Sequence, residues 1–147
     1  MKTISYIEDF NKWREEFSFH IPIKVRFAET DMFGHVNNVF VFMYFEQARI
    51  ELLKKIGLFQ IKSTVDTIPI VADLQCDYIN QIYFEDQLRI YVKVNQVGRT
   101  SFDIHYLAVN DNDEVCLTAR GRMVQINPTT GKPVPFTDAI KKELQSL

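Results

Sequence analysis

The chain carries only two cysteines, Cys76 and Cys116, in 147 residues. Two thiols build neither a disulfide framework nor a four-cysteine zinc site, and their scarcity suits a reducing compartment. Glycine is also rare, at 5. No G-x-x-x-x-G-K-[ST] run occurs, which excludes a P-loop nucleotidase. Positive charge is not in excess: the formal net charge is −2. With no basic run, a dedicated nucleic-acid binder is excluded. The longest unbroken apolar run, residues 39–45, is far too short to cross a membrane. The opening Met1-Lys2-Thr3-Ile4-Ser5 lacks the apolar core of a signal peptide. A cytoplasmic location with no membrane partner is expected. Three dispersed histidines have no metal-ligand spacing, so neither metal nor cofactor is expected. Ser101 lacks the setting of a nucleophile elbow, which argues against a serine hydrolase.

What is present is a core-forming composition. Hydrophobic residues make up 46% and charged residues 24%, and 12 Phe dominate the aromatics. With no linker or repeat, residues 1–147 read as one domain. Phe10, Trp13 and Phe17 stand at helical spacing and predict a short helix over 8–17. Ile21, Ile23, Val25 and Phe27 alternate with polar residues, the pattern of a half-buried strand. Residues 39–56 predict a helix about 27 Å long. Asn38 is the expected N-cap and Gly57 the stop, with Glu51 and Lys55 paired near its end. The first two turns of this helix are apolar on every side and call for enclosure. Strands follow over residues 70–78, 88–95, 102–109 and 115–126. Val124 and Ile126 break the parity of the last one, for which a bulge near Gly121 would account. Residues 137–146 predict a final helix. The core, residues 20–127, is therefore an antiparallel sheet curled around one long central helix, an α+β fold. The outer parity (Tyr91, Leu107, Val109, Cys116, Val124) is only half polar, and another subunit is expected to cover part of it or a sheet edge. His20 and His105 fall on the polar parity and read as surface residues.

The stretch with chemistry in it runs from Phe27 to Asn38 and into Tyr44-Phe45-Glu46-Gln47-Ala48-Arg49. Asp31 lies in a loop just before the long helix. The first N–H groups of a helix have no internal partner and sit at its positive end. An acyl carbonyl placed there is polarised by fixed donors. A nearby carboxylate can attack it or activate water. On the residues alone, a loop Asx turn stands ahead of catalysis for Asp31.

The pattern Asp-x-x-Gly-His-Val-Asn-Asn before an apolar helix with Glu-x-Ala-Arg resembles the hotdog-fold acyl-CoA thioesterases of the 4-hydroxybenzoyl-CoA thioesterase type. The likeness extends over roughly residues 20–137, including Asn127-Pro128-Thr129-Thr130-Gly131-Lys132-Pro133 at the closing turn. It implies a hotdog fold and hydrolysis of acyl-CoA, with Asp31 as nucleophile or general base. It implies that the backbone N–H around Asn38 or Val39 binds the thioester oxygen, and that the segment from Gly34 through Val36 and Asn37 to Asn38 lines the acyl end. His35 is implied as a polar group at the thioester, though one branch of the family lacks it; loop support or donation suits it better than a second base. CoA is then bound at a subunit interface in a homodimer or homotetramer.

Other residues carry plainer alternatives. Asn37 reads as a turn residue, and Phe33, Phe40 and Tyr44 as an acyl wall or simply as core. Glu46 is expected to be partly buried and paired with Arg49. The cysteines read as inert buried thiols. Arg89, Lys93, Arg99, Arg120 and Arg122 are all candidates for the CoA phosphates, with Arg99 and Ser101 in the turn from Gly98 to Ser101 foremost. Two rival functions stand beside hydrolysis: a non-hydrolytic module binding acyl-CoA or acyl carrier protein, and a hotdog hydratase or dehydratase. The Asp and His standing together in one loop before the helix fit hydrolysis better than dehydration.

Overall fold

The computed structural model describes residues 3–58 and 66–147. Its elements are α1 (Phe10–Glu15), β1 (His20–Lys24), α2 (Phe40–Lys54), β2 (Ile68–Tyr78), β3 (Gln87–Val97), β4 (Ser101–Val109), β5 (Val115–Ile126) and α3 (Asp138–Gln145). A 3-10 turn, Phe27–Glu29, follows β1. The five strands form one sheet in the order β1-β3-β4-β5-β2. Every neighbouring pair is antiparallel.

The sheet curls around α2 as expected. Val41, Tyr44, Phe45, Ala48, Leu52 and Leu53 of α2 are buried against Ile90, Val92, Ile104, Tyr106 and Leu117. The Phe45 ring rests on Tyr106 with centroids 4.8 Å apart. Leu144 brings α3 into the same core. Enclosure of the first turns is incomplete, because the sheet covers only one side of the helix. Val39 and Met43 are both more than half exposed.

Helix α2 is shorter than residues 39–56, and its ends explain why. At the C-terminus, Leu58 N–H donates to Leu53 O and Gly57 N–H to Lys54 O, both at 3.1 Å. Gly57 has φ 72°. This is a Schellman stop with glycine in the left-handed position. The expected Glu51–Lys55 pair is not made. Lys54 takes Glu51 at 3.1 Å, and Lys55 lies over the Phe19 ring instead.

Four further expectations are corrected. Phe27 does not extend β1; the chain turns at Arg26 and leaves the ring largely exposed. No bulge falls at Gly121 itself: the extra residue lies opposite it in β2, between Val71 and Asp73, and the irregularity in β5 comes earlier, at Cys116. At the β2 bulge the backbone comes so close that a Cβ on Gly121 would stand 2.9 Å from Asp73 O. The parity of β5 continues through Gln125, which is buried because its amide donates to Val134 O and Pro135 O. Part of the outer face is, in addition, covered by this chain itself, which leaves the expectation of a covering subunit open: Trp13 of α1 and Phe17 just after it pack on Leu107, Val109, Tyr91 and Val115. Cys116 belongs to the inner core, next to the irregularity between Ala108 and Val109.

His105 is the fourth. It is 3% exposed beneath α1, and its Nδ1 accepts from Trp13 Nε1 at 2.9 Å. Burial, then the nearby Lys93 ammonium, lowers its pKa to about 4.

Candidate active site

The loop ahead of α2 is held by Glu29, a residue for which the sequence alone suggested no role. Its buried carboxylate accepts from Arg26 N (2.9 Å), Arg26 Nε (3.0 Å) and the Tyr44 hydroxyl (2.8 Å). Burial alone would raise the Glu29 pKa. The hydrogen bonds from the Arg26 amide, Tyr44 and the Arg26 side chain outweigh it and hold the carboxyl below its ordinary value. The Tyr44 hydroxyl is raised, by burial first and then by Glu29. Glu29 O also accepts from Asn37 N at 2.8 Å, tying both ends of the loop together.

Between these anchors the chain makes a tight reversal. Asp31 N–H donates to His35 O at 2.7 Å and Gly34 N–H to Asp31 O at 3.1 Å. Gly34 has φ 80°, the left-handed residue that such a turn requires. Asp31 Oδ1 accepts from Phe33 N (2.9 Å) and His35 N (3.3 Å). One carboxylate oxygen is therefore spent on an Asx turn. Oδ2 has no partner among the described residues. Val36 N–H donates to Ile82 O at 2.8 Å, and the His35 ring meets Tyr83 edge-on at 5.1 Å.

The start of α2 is capped differently from expectation. The N-cap position is Val39, whose side chain cannot accept a hydrogen bond. Asn37 does the capping: Oδ1 takes Val39 N at 3.1 Å, and its carbonyl takes Phe40 N at 2.9 Å. Of the two expected oxyanion donors, the Val39 amide is thus already occupied. The Asn38 amide has no acceptor among the described residues, and the Asn38 carbonyl accepts from Tyr78 OH at 2.8 Å.

A cleft of about 220 Å³ opens beside this segment, between Val36, Val41, Tyr78, Ile82 and Leu117. Of the expected binding residues only Val36 lines it. Phe33 is 74% exposed, and Gly34 and Val39 also face outward. Arg99 and Ser101 are not brought to this end. They follow β3, an 11-residue strand about 33 Å long, whose near end adjoins the loop through Asp86 O and Val25 N. Ser101 lines a separate small cavity with Asp103 and Arg122.

The other basic candidates are committed elsewhere. Arg89 pairs with Asp113, buried Lys93 with Glu16, Arg120 with Asp73 and Asp103, and Arg122 with Asp103. Arg99 has no ion pair among the described residues. Glu46 is corrected in its burial, its side chain being 59% exposed, while the expected ion pair with the buried Arg49 is made at 4.0 Å; Arg49 also donates to Tyr106 OH. The Cys116 thiol is pushed up to about 11 by burial, then by Asp86 and Glu114, and is no nucleophile. Among the described residues no group of three or more His, Cys, Asp or Glu could hold a metal.

Residues 25–144 match the thioesterase-like superfamily. The chain belongs to this superfamily. It is a hotdog-fold thioesterase by that membership and by its architecture. It is 44% identical over 145 residues to the uncharacterized protein YsmA of Bacillus subtilis (strain 168), covering 98% of this chain and 97% of that one. A predicted thioesterase from Bacillus stearothermophilus superposes with a TM-score of 0.78 at 30% identity, covering 87% of this chain and 94% of that one. A thioesterase from Thermus thermophilus, solved with coenzyme A and Zn, superposes with a TM-score of 0.73 at 26% identity, covering 86% and 92%. In the hotdog thioesterase superfamily the activity is hydrolysis of a thioester. Glu29 and Tyr78 are the two residues at the site that sequence reasoning passed over. Each stood inside a quoted segment, but nothing local marks a partner 15 or 40 residues away.

Proposed function

We propose that the chain hydrolyses acyl-CoA thioesters to a free acid and CoA at the start of α2. The observation that carries this is the open helix start: an Asn38 amide without a protein acceptor among the described residues, beside an acyl-sized cleft, one loop away from a carboxylate with an unspent oxygen. A thioester oxygen at the Asn38 N–H gains a fixed donor and the positive end of the helix. Asp31 Oδ2 then has two routes. As a nucleophile it adds to the carbonyl carbon. The C–S bond breaks, the thiolate leaves as CoA and takes a proton from solvent, and water hydrolyses the aspartyl anhydride. As a general base it takes a proton from water while that water adds to the carbonyl, and collapse of the tetrahedral anion expels the thiolate. Either route consumes one water and yields one acid and one thiol.

Superfamily membership and the coenzyme A bound by the Thermus relative support this substrate class. Arg99 lies at the opposite end of the sheet from Asp31. Its contact with the CoA phosphates therefore requires a second copy, as in a homodimer or homotetramer. An acyl-CoA panel assayed for free thiol is the test. Thiol release that disappears in Asp31→Asn is expected; unchanged turnover in that variant overturns the assignment. One observation favours a non-hydrolytic binder of acyl-CoA or acyl carrier protein, namely that Asp31 Oδ1 is spent inside its own loop. Binding without thiol release across the panel would decide for that alternative.

A further inference from the structure

Tyr78 ends β2, and its ring forms part of the cleft wall with Val36 and Val41. Its hydroxyl donates to Asn38 O at 2.8 Å, across 40 residues of sequence. That bond matters because α2 has no side-chain cap at Val39. The peptide joining Asn38 to Val39 is instead gripped from outside at both ends: its carbonyl by Tyr78, its N–H by Asn37 Oδ1 at 3.1 Å. Asn37 belongs to the same loop and moves with it. Tyr78 belongs to the sheet, so among the described residues it is the one that refers the orientation of this peptide to a rigid element. Burial pushes the Tyr78 hydroxyl up to about 12, followed by the influence of Cys76, so it stays a protonated donor at neutral pH.

We propose that Tyr78 is a positioning residue for thioester hydrolysis, anchoring the Asn38 carbonyl to the sheet so that residue 38, whose own N–H is open one peptide earlier, is held in place beside the cleft. The inference rests on the hydrolytic reading above, but the locking itself does not. Oxyanion donors act through fixed geometry, and displacement by a fraction of an ångström forfeits much of their effect. Loss of the lock should therefore weaken the transition state more than substrate binding.

The test is Tyr78→Phe in the full chain, which keeps the ring and removes only the hydroxyl. With the acyl-CoA that the unaltered protein hydrolyses fastest, kcat is expected to fall about 10-fold or more while KM stays within about 2-fold. Amide hydrogen exchange is expected to accelerate at residues 39–41 and stay unchanged in β3 and β4. A kcat within about 2-fold of the parent overturns the proposal, as does a rise confined to KM, which would make Tyr78 a substrate contact only. If the parent protein releases no thiol from any acyl-CoA, the hydrolytic reading fails by itself. The exchange experiment still judges the lock, and unchanged exchange at residues 39–41 in Tyr78→Phe overturns it.

Discussion

Asp31 spends one oxygen on its own turn and leaves the other for the proposed chemistry, and that division sets what its substitutions should do. In Asp31→Asn the Oδ1 acceptor for Phe33 N and His35 N survives, so the turn should persist and the thermal midpoint should move by no more than about 2 °C. The charge and the basic oxygen are lost, and turnover measured by thiol release should drop by roughly 100-fold or more. Glu29 behaves in the opposite way. Both of its oxygens are used inside the protein, so Glu29→Gln turns an NH2 group toward Arg26 or Tyr44. Urea unfolding should register a loss of about 1–3 kcal/mol. The sign of its pH dependence follows from its lowered pKa. The folded carboxyl holds its proton less tightly than the unfolded one. Its contribution is full above the unfolded value near 4.3 and fades as pH falls through the folded value. Asp31 was legible from its motif. Glu29 was not, since its chemistry depends on a tyrosine one helix away.

At the scale of elements, α1 is a cover whose attachment is sensitive to acid. Trp13 Nε1 can donate to His105 Nδ1 only while that nitrogen is unprotonated. The groups around the imidazole include Lys93 and Arg120, which oppose protonation, and Asp103 and Glu16, which favour it; burial is the largest influence. The folded pKa near 4 lies below the unfolded value near 6.5, so the unfolded state takes up the proton first. The stabilisation is complete above pH 6.5 and is lost as pH falls from 6.5 to 4, amounting to about 3 kcal/mol at most. The chain's 1 Trp is Trp13 itself. Its emission should shift to the red across that window as α1 loosens. The shift should be absent in His105→Gln, which keeps an acceptor but does not titrate. Helix α2 offers a second check: Gly57→Ala forces a Cβ into φ 72° and should cost about 1 kcal/mol in urea unfolding. Periodicity located the helices and the strands of the sheet, because alternation and 3.6-residue spacing are local. It misjudged His105 because parity names the face on which a side chain stands, not whether another element covers that face.

The whole molecule leaves one end unfinished. Phe27, Met32, Phe33, Tyr83 and Phe84 are all about half exposed or more, around the same loop that holds Asp31. The Phe27 and Phe84 rings stack edge-on at 5.8 Å. The strand β2 forms an outer edge of the sheet, with Ile70 and Val71 exposed on it. Apolar surface of this kind next to an open edge is where a second chain is expected to sit. Light scattering should give a mass of at least twice 17.3 kDa, and a 17.3 kDa species at micromolar concentration overturns the homo-oligomer. No helix among the described residues is long and apolar enough to cross a membrane.

By itself the sequence determined the α+β class and the antiparallel strands around a central helix, and its motif marked the loop from Asp31 to Asn38 as the candidate site. The class and the elements follow from residue spacing along short stretches of chain, and the candidate site from a family resemblance carried by one short motif. Only the tertiary structure decided which helix-start amide is open, that Glu46 faces outward, that His105 is buried under Trp13, and that Arg99 stands at the wrong end of the sheet for Asp31. Those outcomes depend on pairs such as Asn38 with Tyr78 and Trp13 with His105, 40 and 92 residues apart. The order of strands in the sheet brings such pairs together, and no local pattern encodes it.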